Sequence, residues 1–115
     1  EGRKKDLINR GGEKISAEEV ENLILSHPAV RNVACVPMPD PVLGERMCAY
    51  IIPGTGASLT LPELVGFLTG KELAKFKLPE RVELVPEFPI SPFGKVSKLD
   101  LTKRIAGKVQ AEAKK

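Results

Sequence analysis

Two hydrophobic rhythms alternate along the chain. Leu7-Ile8-Asn9 and Glu13-Lys14-Ile15 are short strand-like segments around Arg10-Gly11-Gly12, which predicts a tight hairpin. Ser16 followed by Glu19 is a capping-box signature. Behind it Val20, Leu23 and Ile24, with His27 next in the series, recur at helical spacing and predict a helix over residues 17–26, stopped by Pro28. Val33-Ala34-Cys35-Val36 and Met47-Cys48-Ala49-Tyr50-Ile51-Ile52 are continuous apolar runs of strand length. Between them Pro37, Pro39, Asp40, Pro41 and Gly44 predict an irregular loop. Thr60 and Glu63 repeat the capping pattern, with Pro62 in the first turn of a helix that buries Leu64, Val65, Phe67 and Leu68. A turn around residues 72–76 leads to a third strand, Val82-Glu83-Leu84-Val85, and then to a loop containing Pro86, Pro89, Pro92 and Gly94. Ser97 and Asp100 cap a last helix with Leu101, Ile105 and Val109 on one face. This order predicts a compact α+β domain. Its small central sheet of about three strands is flanked by helices and preceded by a short two-stranded hairpin.

Composition narrows the picture further. A chain of 115 residues holds one domain at most, and without Trp its core must come chiefly from Val, Leu and Ile. No apolar run reaches bilayer length and no signal peptide opens the chain, so no membrane partner and a cytoplasmic location are expected. The sequence opens without Met inside a dense motif, Glu1-Gly2-Arg3-Lys4-Lys5-Asp6, as a piece of a longer protein would. A net charge of +3 admits an anionic partner such as a nucleotide, a coenzyme or an acidic protein. Nucleic acid is not expected, because zinc spacing and aromatic-rich basic stretches are missing. Lys103, Arg104, Lys108, Lys114 and Lys115 carry much of the excess and read as a solvated helix face. Cys35 and Cys48, inside apolar runs, read as buried free thiols. His27 stands before Pro28 at a helix end, where it caps or faces solvent, and no metal site is expected.

Two segments carry more glycine and charge than a structural domain needs. In the first, Gly2-Arg3-Lys4-Lys5-Asp6 runs on to Arg10-Gly11-Gly12-Glu13-Lys14. Adjacent glycines allow positive φ and close approach of a ligand to the backbone, and the flanking cations suit an anion. The second is Ser91-Pro92-Phe93-Gly94-Lys95-Val96-Ser97-Lys98, where a proline-stiffened loop can thrust the Lys95 ammonium outward. A compact charge with three donors suits a phosphate or a developing oxyanion. Taken singly, each segment is more often a solvated turn or loop than a binding site.

Together they resemble a known pair. Gly2-Arg3-x-Lys5-Asp6-x-Ile8-Asn9-Arg10-Gly11-Gly12-Glu13-Lys14-Ile15-Ser16 resembles the hinge motif of the AMP-forming acyl- and aryl-adenylating superfamily. Pro89-x-Ser91-x-x-Gly94-Lys95-Val96-x-Lys98 resembles its tenth core motif. His27-Pro28-Ala29-Val30, Met38-Pro39-Asp40, Leu43-Gly44-Glu45 and Phe76-Lys77-Leu78-Pro79 extend the resemblance over the whole chain. Within the superfamily, Ile8-Asn9-Arg10-Gly11-Gly12-Glu13-Lys14-Ile15, Gly44-Glu45-Arg46-x-Cys48 and Gly94-Lys95-Val96-Ser97-Lys98 are similar to the stand-alone aryl-acid ligases of siderophore synthesis, such as 2,3-dihydroxybenzoate-AMP ligases.

The resemblance implies a hinge segment over residues 1–5 and a mobile C-terminal subdomain over residues 6–115, without the large N-terminal domain that binds ATP, Mg2+ and the carboxylic acid. It implies two half-reactions: adenylation of the acid, then displacement of AMP by phosphopantetheine on an acyl or aryl carrier protein. Lys95 would bridge the carboxylate and the nucleotide in the first step, Arg3 would bind the ribose, and Lys5 would be the hinge. Arg10, Gly11, Gly12, Glu13 and Lys14 would line the pantetheine tunnel in the second step, with Arg10 and Arg46 contacting the carrier. Backbone torsion alone could serve the motion at Lys5, and Arg10 and Arg46 also read as solvated arginines. The fragment by itself is expected to be inactive. The alternatives are an aryl- or acyl-CoA synthetase using free CoA, and a non-catalytic binding module of the same fold.

Overall fold

The computed structural model describes residues 6–113. In chain order the elements are β1 (Leu7–Arg10), β2 (Glu13–Ser16), α1 (Ala17–Ile24), β3 (Val30–Asp40), β4 (Gly44–Pro53), α2 (Leu61–Gly70), β5 (Arg81–Leu84) and α3 (Lys98–Ala113). Because successive strand residues point to opposite faces, the two apolar runs serve two cores. Val33, Cys35, Met47, Ala49 and Ile51 pack with Val20, Ile24, Leu64 and Leu68, which places α1 and α2 on one face of the sheet. Ala34, Val36, Met38, Cys48 and Tyr50 pack with Phe88, Leu101 and Ile105, which places α3 on the other. Cys35 and Cys48 are therefore free, buried thiols on opposite faces, as their apolar setting predicts.

The α+β class is the one predicted, but the sheet is larger. Its order is β2-β1-β4-β3, with β5 beside β4, five strands in all. β3 runs antiparallel along the whole of β4. The opposite edge of β4 is shared: Arg10 of β1 pairs with Gly44 at its start, and β5 lies parallel from Cys48↔Arg81 to Ile51↔Leu84. The hairpin is thus continuous with the sheet rather than a separate preface to it.

The predicted loop between the apolar runs is also corrected. Pro37 pairs with Met47 and Pro39 with Glu45, so the strands continue to a turn over residues 41–43. Two residues apart, both prolines turn the same way. On an edge strand their missing N–H groups fall on the side without a partner, where the ladder loses nothing.

The caps follow the sequence closely. Thr60 and Glu63 form a complete capping box, each side chain accepting from the other's backbone N–H. Ser16 Oγ accepts from the Glu19 N–H at 3.3 Å, but the Glu19 carboxylate turns away to Lys77 Nζ at 3.0 Å. Ser97 Oγ accepts from the Asp100 N–H at the start of α3. Helix α1 stops at Ile24 rather than at residue 26. His27 then closes the turn, its Nδ1 accepting from the Ala29 N–H at 3.0 Å and its ring meeting Phe67 edge-on. Toward the far end of α3, Glu112 pairs with Arg81 and Lys108 with Glu83, fastening the helix to β5. Among the described residues no helix is long and apolar enough to cross a membrane.

Candidate functional site

Arg10, Gly11, Gly12 and Glu13 form a two-residue hairpin turn. Gly11 has φ 59° and Gly12 φ 95°, the left-handed pair that makes the turn follow the twist of its strands. The turn is stitched down on several sides. Gly11 N–H donates to Leu43 O at 2.8 Å, Gly12 N–H to Asn9 Oδ1 at 3.0 Å, and Asn9 N–H to Glu45 Oε1 at 2.8 Å. A Cβ on Gly11 would lie 2.9 Å from Leu43 Cδ2, whereas one on Gly12 would meet nothing within 4 Å. The outer face of Gly12 is open backbone.

The structure brings Arg10 and Arg46 together through one carboxylate. Arg10 Nε and Arg46 Nη1 donate to the two oxygens of Glu80, at 2.8 and 3.2 Å. Arg46 Nε also lies 2.8 Å from Asp40 Oδ1. Hydrogen bonds from the Leu43 and Val42 N–H groups, with Arg46 nearby, hold the Asp40 carboxyl below its ordinary range. The Glu80 hydrogen bond holds the Arg10 guanidinium more firmly charged than usual. Beside this cluster an open groove of about 570 Å³ is lined by Val65, Phe76, Leu78 and Pro79, with Arg10 and Lys75 at its rim.

Lys95 sits on a different kind of loop. Ser91 N–H donates to Lys95 O at 2.7 Å, Gly94 N–H to Ser91 O at 2.9 Å, and Ser97 N–H to Pro89 O at 2.8 Å. An Ile90↔Val96 bridge closes the base, and Gly94 at φ 80° makes the bend. The loop is bare: Phe93 at its tip is 87% exposed and Ile90 at its base 60%. The Lys95 side chain is exposed, with no ion-pair partner among the described residues. Lys98, three residues on, is instead clamped between Asp6 and Glu21, 2.6 Å from each.

Lys98, at the foot of the Lys95 loop, pairs with Asp6 just ahead of β1, whereas the Arg10–Gly12 turn follows that strand. The thiols are not candidates for the chemistry. Burial pushes Cys35 well above its ordinary pKa and Cys48 up to about 12, leaving both protonated near neutrality.

Comparison with known proteins matches residues 19–95 to the AMP-binding enzyme C-terminal domain. The chain belongs to that family. It is 54% identical over 115 residues to the 2,3-dihydroxybenzoate-AMP ligase of Bacillus subtilis, covering 100% of this chain and 21% of that protein. It is 53% identical over 113 residues to pyochelin synthase PchD of Pseudomonas aeruginosa, covering 98% and 20%. The apo structure of MbtA from Mycobacterium smegmatis superposes with a TM-score of 0.82 at 35% identity, covering 87% of this chain and 19% of that one. The chain thus spans about a fifth of the length of the relatives it matches. The family match begins in α1, after the glycine hairpin, and ends on Lys95.

Of the residues singled out by sequence, Arg10, Gly11, Gly12, Glu13 and Lys14 form one turn and the strand beginning beside it, with Arg46 joined to it through Glu80. Lys95 stands apart from them. Arg3 and Lys5 lie outside the described residues. Sequence reasoning missed Glu80 and the Asp6–Glu21 clamp on Lys98. Glu80 carried no signal, since it is one acidic residue after Pro79. Asp6 and Lys98 both stood inside recognised motifs, which pointed to them without pairing them.

Proposed function

We propose that this chain is the mobile C-terminal part of an ATP-dependent ligase that adenylates a carboxylic acid, an aryl acid by its relatives, and then passes the acyl group to phosphopantetheine of a carrier protein. The observation that carries the reading is the Lys95 ammonium, exposed on a braced loop and without a counter-ion among the described residues. It is free to enter a site formed by other parts of the protein. There it would lie between the acid's carboxylate and the α-phosphate or ribose oxygens of ATP. Two anions must approach for the acyl–oxygen–phosphorus bond to form as pyrophosphate leaves, and a cation between them lowers that barrier.

The second half-reaction uses the other end of β1. Rotation about residues 1–5, with Lys5 as the hinge and Arg3 on the ribose, would withdraw Lys95 and present the glycine turn. The open backbone of Gly12, beside Gly11, would border the pantetheine tunnel, with Glu13 and Lys14 at its mouth. The pantetheine thiol supplies the nucleophile that displaces AMP. Arg10, Arg46 and the groove rimmed by Lys75 would give an acidic carrier a cationic and partly apolar footing. Mg2+ would be held with ATP mainly by the large N-terminal domain that the family resemblance implies. The separated chain would be inactive, lacking the sites for ATP and acid, and the full ligase would work in the cytoplasm.

The test is Lys95→Ala in the full-length protein, assayed for each half-reaction with a panel of aryl and aliphatic acids. ATP–pyrophosphate exchange should fall about 100-fold or more, while thioester formation from supplied acyl-adenylate stays within about two-fold. Equal loss of both steps would sink the assigned role. Faster transfer to free CoA than to a holo carrier protein would make the enzyme an acyl-CoA synthetase instead.

A further inference from the structure

We infer that Lys98 is a positioning residue that couples Asp6, the first residue after the proposed hinge, to the loop carrying Lys95. This deepens the functional reading above and rests on it. Asp6 and Lys98 are 92 residues apart in sequence, yet their side chains meet at 2.6 Å. Lys98 Nζ is also 2.6 Å from Glu21 Oε2, the same oxygen that accepts from the Cys35 N–H at 2.8 Å. Asp6 O accepts from the Ala17 N–H at 3.2 Å. One ammonium therefore gathers the start of β1, helix α1, strand β3 and the first residue of α3. All three side chains are largely shielded, Glu21 most at 12% exposure. Burial works against the Lys98 charge, but the bonds to Asp6 and Glu21 outweigh it and raise its pKa.

The connection matters because the two functional segments reach the hinge by different routes. The glycine turn is reached from residue 6 along β1 itself, a path of covalent bonds and ladder pairing. Lys95 has no such path. Its loop is tethered on one side to Pro89 and the buried Phe88, and on the other to Lys98. A rotation at residue 5 passes from Asp6 through the Lys98 ammonium to the foot of the loop. Without that ion pair Leu101 and Ile105 still hold α3 in the core, so the domain keeps its fold while the loop loses its fixed bearing on the hinge. Placement errors of about 1 Å are enough to cost on the order of 100-fold in a reaction that depends on positioning.

The experiment uses the full-length enzyme and the variants Lys98→Met, Lys98→Arg and Asp6→Asn, with Lys95→Ala in parallel. ATP–pyrophosphate exchange kinetics, thioester formation from supplied acyl-adenylate and Tm are measured for each. Lys98→Met should lower the exchange kcat by ~10- to 100-fold, with KM for ATP and the thioester step both within about two-fold. Lys98→Arg, which keeps the charge, should recover most of the loss. Asp6→Asn leaves Lys98 paired with Glu21 and should give a smaller loss confined to the same step. Parallel loss of both half-reactions, an unchanged exchange kcat or no recovery with Arg would each overturn the inference and leave Lys98 a structural ion pair. If Lys98→Met fails to fold, Asp6→Asn decides, and an unaltered exchange kcat overturns the coupling. If Lys95→Ala leaves exchange intact, the functional reading fails and the inference falls with it; if only the Lys98 and Asp6 variants are silent, the inference alone fails.

Discussion

At the Arg10–Gly12 turn, backbone and side-chain groups are tied to Leu43, Asn9, Glu45 and Glu80, whereas at the Ser91–Lys95 turn the hydrogen bonds stay within the loop and the tip side chains meet solvent. Both bends rest on glycines at positive φ. One is part of the sheet, the other a cantilever anchored at its base by the buried Phe88 on one side and by Lys98 on the other. The contrast suits two jobs. Under the proposed function, a wall bordering the pantetheine arm would need to hold its shape, while an ammonium entering another domain's site would need to protrude from its own.

Substitutions should separate the two constructions. The largest effect on folding is expected at Gly11, where Val would place a branched side chain at φ 59° with its Cβ 2.9 Å from Leu43 Cδ2. Strain of this kind costs about 2 kcal/mol, so the thermal midpoint of the chain should drop by about 10 °C. A midpoint within a degree of wild type would show that the turn is not held as described. Next comes Glu80→Ala, which strips the shared carboxylate from Arg10 and Arg46. Partly exposed pairs of this kind contribute about 1 kcal/mol at most. The loss should be greater at low salt than at high, and calorimetry at two ionic strengths checks it. Smallest is Phe93→Ala at the exposed tip, which should leave the midpoint unchanged; a loss comparable to that of Glu80→Ala would mean the tip is packed after all.

The same contrast explains what could be read from sequence. Local chemistry was legible: the Thr60–Glu63 box, the Ser16 and Ser97 caps, the paired glycines of the hairpin and the proline-stiffened lysine loop all formed as their residues imply. Pro37 and Pro39 misled because a proline's cost depends on whether its strand has a neighbour on that side, and this is a property of the sheet. The parallel docking of β5 beside β4 and the sharing of Glu80 by Arg10 and Arg46, 70 and 34 residues away, depend on tertiary closure in the same way. No local pattern encodes them.

The prolines of β3 have one more consequence. An outer strand with a full row of amide donors can recruit another chain into its ladder. Here two of those donors are absent at Pro37 and Pro39, so a neighbouring copy would find gaps in the row it must pair with. The margin of the sheet therefore resists fibre-like stacking against a second copy.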